Sequence, residues 1–524
     1  MFAWSVKNRF PLLAALFLVS VQIAVSIALS MGAGQDRLWN GAFWQNADDF
    51  AVYLGDVEQI RGGAFGMVNF YAPLPQERFW HPLYVIIGLA ARVTGITSFA
   101  ALSISLWLAT ASAVFLIHAV SRAMTNNERD ASMATLVILV TGGFGWMAAV
   151  GWTGGRPPWA NGVMPDMNSE SFFFPALFMG PHIILSIGLL PFFLLRIWQT
   201  ATSHAASAFR WTGWIAGLAL AFIHPYVVPI VGLFMIISWL RNPHVFAWRS
   251  IKTYACYGTA VLLGIIPHAI GQFTNWNARR LLVENALPIS PAWLWILTFV
   301  PWLALIALRF FRRDSLNKKE EWLLLWLSAS FMAIALPFKW DIKLAISWHA
   351  AAVWLSIPIL RIIRDRMKGF WEISIACVIV LSISSVFMLT RQLPYLRGNI
   401  SAVLPMYVGM VDMEAWQWIK KHTPVTSRVL PPSVFIGIWS GPYMQRSVWI
   451  GHGMETPNFE DKKTMLPHIP SMSPADLVSF LDAEKINVIL TSDSGMADQY
   501  RRSLAGTSWH VGMQLDSVCV LIRE

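Results

Sequence analysis

The segment Asn46-Ala47-Asp48-Asp49-Phe50-Ala51-Val52-Tyr53, followed by Asp56, Glu58, Arg61 and Gly62-Gly63, gathers several acids in a chain where charged residues are only 13%. Read as a helix from Ala47, it puts Asp49, Tyr53, Asp56 and Ile60 on one face, at i, i+4, i+7 and i+11. That face presents two carboxylates and a phenol. Acids placed there could remove a proton from an acceptor hydroxyl. They could also bind a divalent cation (Mg or Mn) together with Asp166 or Glu170 of a second loop. A plainer reading stands beside these: Asn46 or Asp48 caps the helix and Asp49 sits in its positive first turn.

The elements that must position these acids are set by composition. Of 524 residues, 56% are hydrophobic, with 28 Trp and 32 Phe. Apolar runs of roughly 18 to 25 residues recur, long enough to cross about 30 Å of hydrocarbon. They are read as helices, because lone strands leave their backbone groups unsatisfied in lipid. The chain is thus expected to be a polytopic α-helical membrane protein. The net charge of +10 falls mostly in short loops, where it sets topology, so nucleic acid is not expected as a partner. Three cysteines, with Cys256 and Cys377 in expected spans, build no disulfide framework or zinc site.

Lys7 and Arg9 place the N-terminus in the cytoplasm, and Phe10 to Ser30 is kept as a membrane anchor. A large outer loop follows, over about residues 32–97, and holds the acids. Within it, His81-Pro82-Leu83-Tyr84 opens a short apolar helix lying at the outer surface, with Pro82 as its first residue. Further spans are expected at Phe99–Val120, Ala131–Val150 and Pro181–Ile197. The stretch Trp211–Leu240, broken at His224-Pro225, reads as a there-and-back pair that keeps the flanking arginines inside. The last five are Tyr254–Ala269, Pro291–Leu308, Trp322–Pro337, Ile342–Leu360 and Ile373–Leu389. About eleven spans result, and every short basic loop falls on the cytoplasmic side. Residues 1–390 thus form a membrane domain. Residues 391–524 are soluble in composition and lie outside. Helix patterns at Met413–His422 and Ala475–Glu484 alternate there with strands at Arg428–Leu430, Ser447–Ile450, Asn487–Leu490 and Val518–Ile522, which predicts a small α/β domain.

This order of elements resembles the GT-C superfamily of polyprenyl-phosphate-sugar glycosyltransferases, which includes protein O-mannosyltransferases, aminoarabinose transferases and oligosaccharyltransferase catalytic subunits. Asp48-Asp49, Tyr53 and Gly62 fall where that superfamily carries its acid, aromatic and glycine pattern. His81-Pro82-Leu83 is similar to its His-Pro-Pro-Leu segment, with Leu83 in place of the second proline. Glu414 to Lys420 with Thr423-Pro424 resembles the start of the oligosaccharyltransferase outer domain. The Trp-Trp-Asp-Tyr-Gly motif that follows there is absent, since Pro431-Pro432-Ser433-Val434-Phe435 stands in its place, so peptide N-glycosylation is not expected. The resemblance implies transfer of a sugar from a polyprenyl-phosphate donor to a glycan, lipid or protein acceptor, at the outer face of a bacterial inner membrane. Asp48 and Asp49 would then be catalytic, with Asp56, Asp166 or Glu170 as a second acid.

A lipid-linked donor needs cations at its phosphate as the sugar departs. Arg279 and Arg280 suit that role, and Lys339 and Lys343 come second; all four could equally anchor lipid head groups. His182 and His224, near the outer ends of spans, could ligate a metal or satisfy backbone groups. The loop Gly451 to Pro457, with His452 and Glu455, could contact donor or acceptor, or be an ordinary strand-end turn. Two rival functions remain: a catalytically silent GT-C-like assembly subunit, and a lipid or glycan transporter. The latter would need ionisable groups deep inside spans, where this chain carries almost no acids.

Overall fold

The computed structural model describes residues 9–43, 47–73, 78–125, 127–150, 170–202, 211–241, 248–274, 291–312, 315–336, 341–390 and 406–524. The chain folds as two compact units. The first comprises Met1–Ala24, Ile104–Pro267 and Ala286–Gln392, and the second Val25–Ser103, His268–Asn285 and Leu393–Glu524.

Among the described residues, seven helices are long and apolar enough to cross a bilayer: Arg9–Gly32, Ser98–Thr125, Pro181–Ala201, Ile251–Gly271, Ala292–Phe311, Lys343–Arg366 and Phe370–Phe387. Trp211–Ile223 and Pro225–Arg241 qualify as a pair, bent by 115°. Pro225 causes that bend, because it lacks an N–H and drives the preceding His224 out of helical geometry (φ −146°, ψ 74°). This is a multi-pass helical membrane protein.

These lengths do not confirm a count of eleven. The expected span Ala131–Val150 is instead a helix, Glu128–Val140, that ends before Thr141-Gly142-Gly143. The interruption is tolerated because neighbours take up its backbone groups. Gly142 donates to Leu381 O at 2.8 Å and Phe144 to Thr298 O at 3.3 Å. A side chain at Gly143 would collide with that same Thr298 carbonyl. The helix read as Trp322–Pro337 runs Lys318–Ile334, started by an Asn317–Glu320 capping box.

The basic turns read as cytoplasmic gather at one end of the first unit. Asp130 pairs with Arg361 (2.7 Å) and Arg364 (2.8 Å), Arg129 lies 4.2 Å over Trp371, and Lys319 donates to Met124 O at 3.1 Å. Arg241 pairs with Glu321 there too.

The second unit is assembled from segments far apart in sequence. Strand β1 (Arg37–Trp39) pairs antiparallel with β2 (Tyr407–Gly409). Helix α1 (Ala47–Arg61) buries Phe50, Ala51, Leu54, Val57 and Ile60 in one apolar cluster with Tyr84 and Ile87 of α2 (Pro82–Thr94), Trp416 and Ile419 of α3 (Met410–His422), and Trp439 of α4 (Val434–Met444). Acids in its first turn suit the positive end of the helix, and Gly63, at φ +99°, stops it.

The α/β part is a five-stranded sheet ordered β4-β3-β5-β7-β6: β3 (Arg428–Leu430), β4 (Ser447–Val448), β5 (Val488–Thr491), β6 (Trp509–Leu515) and β7 (Val518–Arg523). β3 runs parallel to both β4 and β5, and β7 is antiparallel to β5 and β6. The parallel pairs are joined through helices, as parallel pairing requires. The segment between α1 and α2 supplies what the β4 edge lacks. Val448 N donates to Phe70 O at 2.7 Å, and Ser447 Oγ donates to Ala72 O at 2.7 Å.

Candidate functional site: an acid helix facing the loop after β4

Two elements of the second unit meet at the site. Helix α1 brings Asp48 and Asp49 in its first turn, with Asp56 two turns further on. Facing it, the chain leaves β4 and turns through Gly451-His452-Gly453-Met454-Glu455-Thr456. The position is favourable, because loops at the carboxyl ends of parallel strands project side chains away from the sheet.

His452 Nε2 lies 3.1 Å from Asp49 Oδ1 and 3.8 Å from Asp48 Oδ2. The ring is buried at 3% exposure, while both aspartates remain half-buried and open to solvent. Met454 N donates to His452 Nδ1 at 3.2 Å, which assigns the ring proton to Nε2, where it is donated to Asp49. Burial works against a second proton on His452. The hydrogen bond and charge of Asp49, with Asp48 and Glu455, outweigh it and raise the imidazole to about 9. The Met454 amide opposes that gain, since a doubly protonated ring must give it up.

Asp48 is raised above the ordinary carboxylate range, first by burial and then by the charge of Asp49, against the lowering pull of His452. Asp56 is raised much further, by burial and then by the charge of Glu455. Glu455 is held by Asn69, whose Nδ2 donates to its Oε2 at 3.1 Å and its carbonyl at 2.8 Å. Tyr71 backs the loop: its ring lies 6.0 Å from that of His452, and its hydroxyl donates to Ile438 O at 2.7 Å. A side chain at Gly451 would strike the Tyr71 ring. Tyr53, on the acid face of α1, stacks on Tyr84 at 4.9 Å. The arrangement can accept a proton at Asp48 or Asp49 and hold one at Asp56.

Asp56 yields a stability prediction. A carboxyl raised in the folded state favours folding most below its unfolded value of about 3.9 and loses that contribution as pH rises. Asp56→Asn, neutral at every pH, is therefore expected to raise the thermal midpoint near pH 7 and flatten its fall above about pH 4. Tryptophan fluorescence melts across that range check it; a lower midpoint at pH 7 in the variant would contradict it.

Of the residues singled out in the sequence, Asp48, Asp49, Asp56, His452 and Glu455 thus come together. Glu170, His182, His224 and Lys343 fall in the first unit. There, the rings of His182 and His224 lie 5.9 Å apart, Lys343 Nζ sits 4.1 Å over the Tyr226 ring, and Glu170 O accepts from Ser347 N at 2.8 Å. Asp166, Arg279, Arg280 and Lys339 lie outside the described residues. Among the described residues no three His, Cys, Asp or Glu side chains form a group that could hold a metal ion. The cation expected on these acids together with Asp166 thus falls partly outside the described residues, and no step is routed through one. Asn69, Tyr71 and the Met454 amide escaped the sequence reading, since no spacing marks a loop residue whose partner lies hundreds of positions away.

No protein-family model matches this chain, and no curated protein matches it. Solved structures do. ArnT from Cupriavidus metallidurans bound to undecaprenyl phosphate is 12% identical, with a TM-score of 0.54 over 97% of this chain and 97% of that one. The apo state of the same protein gives 12% and 0.52 over 97% and 98%. The oligosaccharyltransferase of Archaeoglobus fulgidus, tethered to an acceptor peptide containing the NVT sequon, gives 13% and 0.52 over 94% of this chain and 70% of that one. The likeness is one of fold: this chain has the GT-C fold.

Proposed function

We propose that this chain is a membrane glycosyltransferase that moves a sugar from a polyprenyl-phosphate-linked donor to an acceptor at the extracytoplasmic face. The observation that carries the reading is the pair Asp48–Asp49, open to solvent at the start of a helix that follows the first span in a GT-C fold. ArnT, solved with undecaprenyl phosphate, supports the donor class. In this reading residues 1–390 are the membrane domain and 391–524 the outer domain, periplasmic or extracellular.

The acceptor hydroxyl attacks the anomeric carbon, and its proton passes to Asp48 or Asp49. The bond from that carbon to the phosphate oxygen breaks, and its electron pair leaves with polyprenyl phosphate. Arg279 and Arg280, with Lys339 and Lys343, are proposed to stabilise the charge that gathers on that phosphate. Burial and the charge of Glu455 raise Asp56, which favours its neutral form behind the reacting acids; Asp166 or Glu170 is proposed as a second acid, with His182 and His224 as hydrogen-bond donors.

The test uses the full chain in lipid nanodiscs with a panel of undecaprenyl-phosphate sugars and with membrane extracts as acceptor source. Expected is one sugar consumed and free undecaprenyl phosphate formed, followed by mass spectrometry. A panel recovered whole would favour the silent assembly subunit.

A further inference from the structure

We infer that His452 is a positioning residue for Asp49, so that the loop after β4 and the acid helix α1 fix one another's geometry. The inference deepens the proposed function and rests on it for its catalytic consequence, though not for the contact itself.

The ring nitrogens are both committed. Nε2 donates to Asp49 Oδ1 at 3.1 Å in either protonation state, and Nδ1 is occupied on its own side, 3.2 Å from the Met454 amide that it accepts when the ring is neutral. A base or a substrate ligand needs a nitrogen facing the reactants, and at 3% exposure this ring offers none. It can orient Asp49, as a buried imidazole orients any carboxylate it bonds to.

The ring is itself held from behind. Thr456 N and Glu455 N both donate to His452 O, at 2.9 and 3.2 Å, and Gly451 N donates to Thr456 Oγ1 at 3.2 Å. Asn69 ties Glu455 to the segment that follows α1, and the Tyr71 ring lies 6.0 Å from that of His452. The loop is thus a rigid mount, and His452 is its contact with the acid pair. A carboxylate free to rotate would spend part of its time pointing away from an acceptor hydroxyl, so an anchor on one oxygen raises the productive fraction.

The experiment uses the full chain in nanodiscs, with H452A, H452Q and D49A compared by hydrogen-exchange mass spectrometry. Glutamine keeps an N–H donor at about the reach of Nε2. H452A is expected to raise exchange roughly tenfold in residues 449–457 and also in 47–54, and H452Q to restore 47–54. D49A is expected to raise exchange in 449–457. A rise confined to 449–457 in H452A, or no recovery of 47–54 in H452Q, overturns the inference. Should alanine at 452 unfold the unit, D49A decides: unchanged exchange in 449–457 overturns the inference.

In the transfer assay, H452A is expected to lower kcat about tenfold to a hundredfold with donor KM unchanged, and H452Q to regain most of it. Wild-type kcat in H452A also overturns the inference. A wild-type chain that transfers no sugar counts against the proposed function alone, and the exchange measurements still decide the contact.

Discussion

Asp49→Asn and Asp48→Asn, made together, are expected to cut sugar transfer by about a hundredfold to ten-thousandfold, the range of a lost general base. Asparagine is the informative replacement. It keeps the size of the side chain and an oxygen that can still accept His452 Nε2–H, now at 3.1 Å from Asp49. The loop should therefore stay docked, and only the charge is lost. The single variants divide the role between the two acids. In the wild type the acid limb of the pH profile should lie above the ordinary carboxylate range, because burial and then Asp49 raise Asp48. Removing the Asp49 charge should move the limb of the residual activity to lower pH. Initial rates of undecaprenyl phosphate release across pH measure both effects. Undiminished transfer in the double variant would remove both aspartates from the chemistry.

Gly437→Ala is expected to destabilise the second unit on the order of 2–4 kcal/mol, a large effect for a one-carbon change. Helix α4 passes so close to the end of β4 that a Cβ at position 437 would fall within the carbonyl oxygen of Ile450, and that obstacle is backbone. Relief would require shifting Ile450-Gly451, and with them His452. Gly232, inside the helix Val228–Arg241 with nothing within 4 Å of the same added carbon, is the control. Alanine there should be neutral or gain about 0.5–1 kcal/mol from helix propensity. Thermal melts and limited proteolysis of the two variants separate the effects. Equal midpoints would show that β4 accommodates the change.

What the sequence disclosed and what it withheld follow from the range of the forces involved. The start of α2 at Pro82, the bend at His224-Pro225 and the first-turn acids of α1 are local effects of a ring, a missing N–H and a helix dipole. They were legible. The alternation of helix and strand after Met406 was legible in part: the helices Phe459–Met465 and Ser494–Ser503, strand β6 and helix α4 escaped it. The Phe-Ile-Gly-Ile-Trp-Ser-Gly-Pro run of α4 is apolar on every side and so has no period to read. The three-residue strands β1 and β2 are too short to alternate. The break at Thr141-Gly142-Gly143 was hidden because its neighbours, Leu381 and Thr298, satisfy it from afar. At the site, residue types nominated Asp48, Asp49, Asp56, His452 and Glu455. The 403 positions between Asp49 and His452 are closed only by tertiary packing, which no window of sequence contains.

The pairing of Arg37–Trp39 with Tyr407–Gly409 bears on how the protein is made. A nascent chain exposes the acid helix early, yet the strand that pairs with β1 emerges only after the intervening helices have been made. Until then Asp49 has no histidine beside it, and the apolar face of α1 has no cover from Trp416 or Trp439. A chain that ends before residue 406 would leave that face uncovered, so the surroundings of Asp49 can close only late in synthesis.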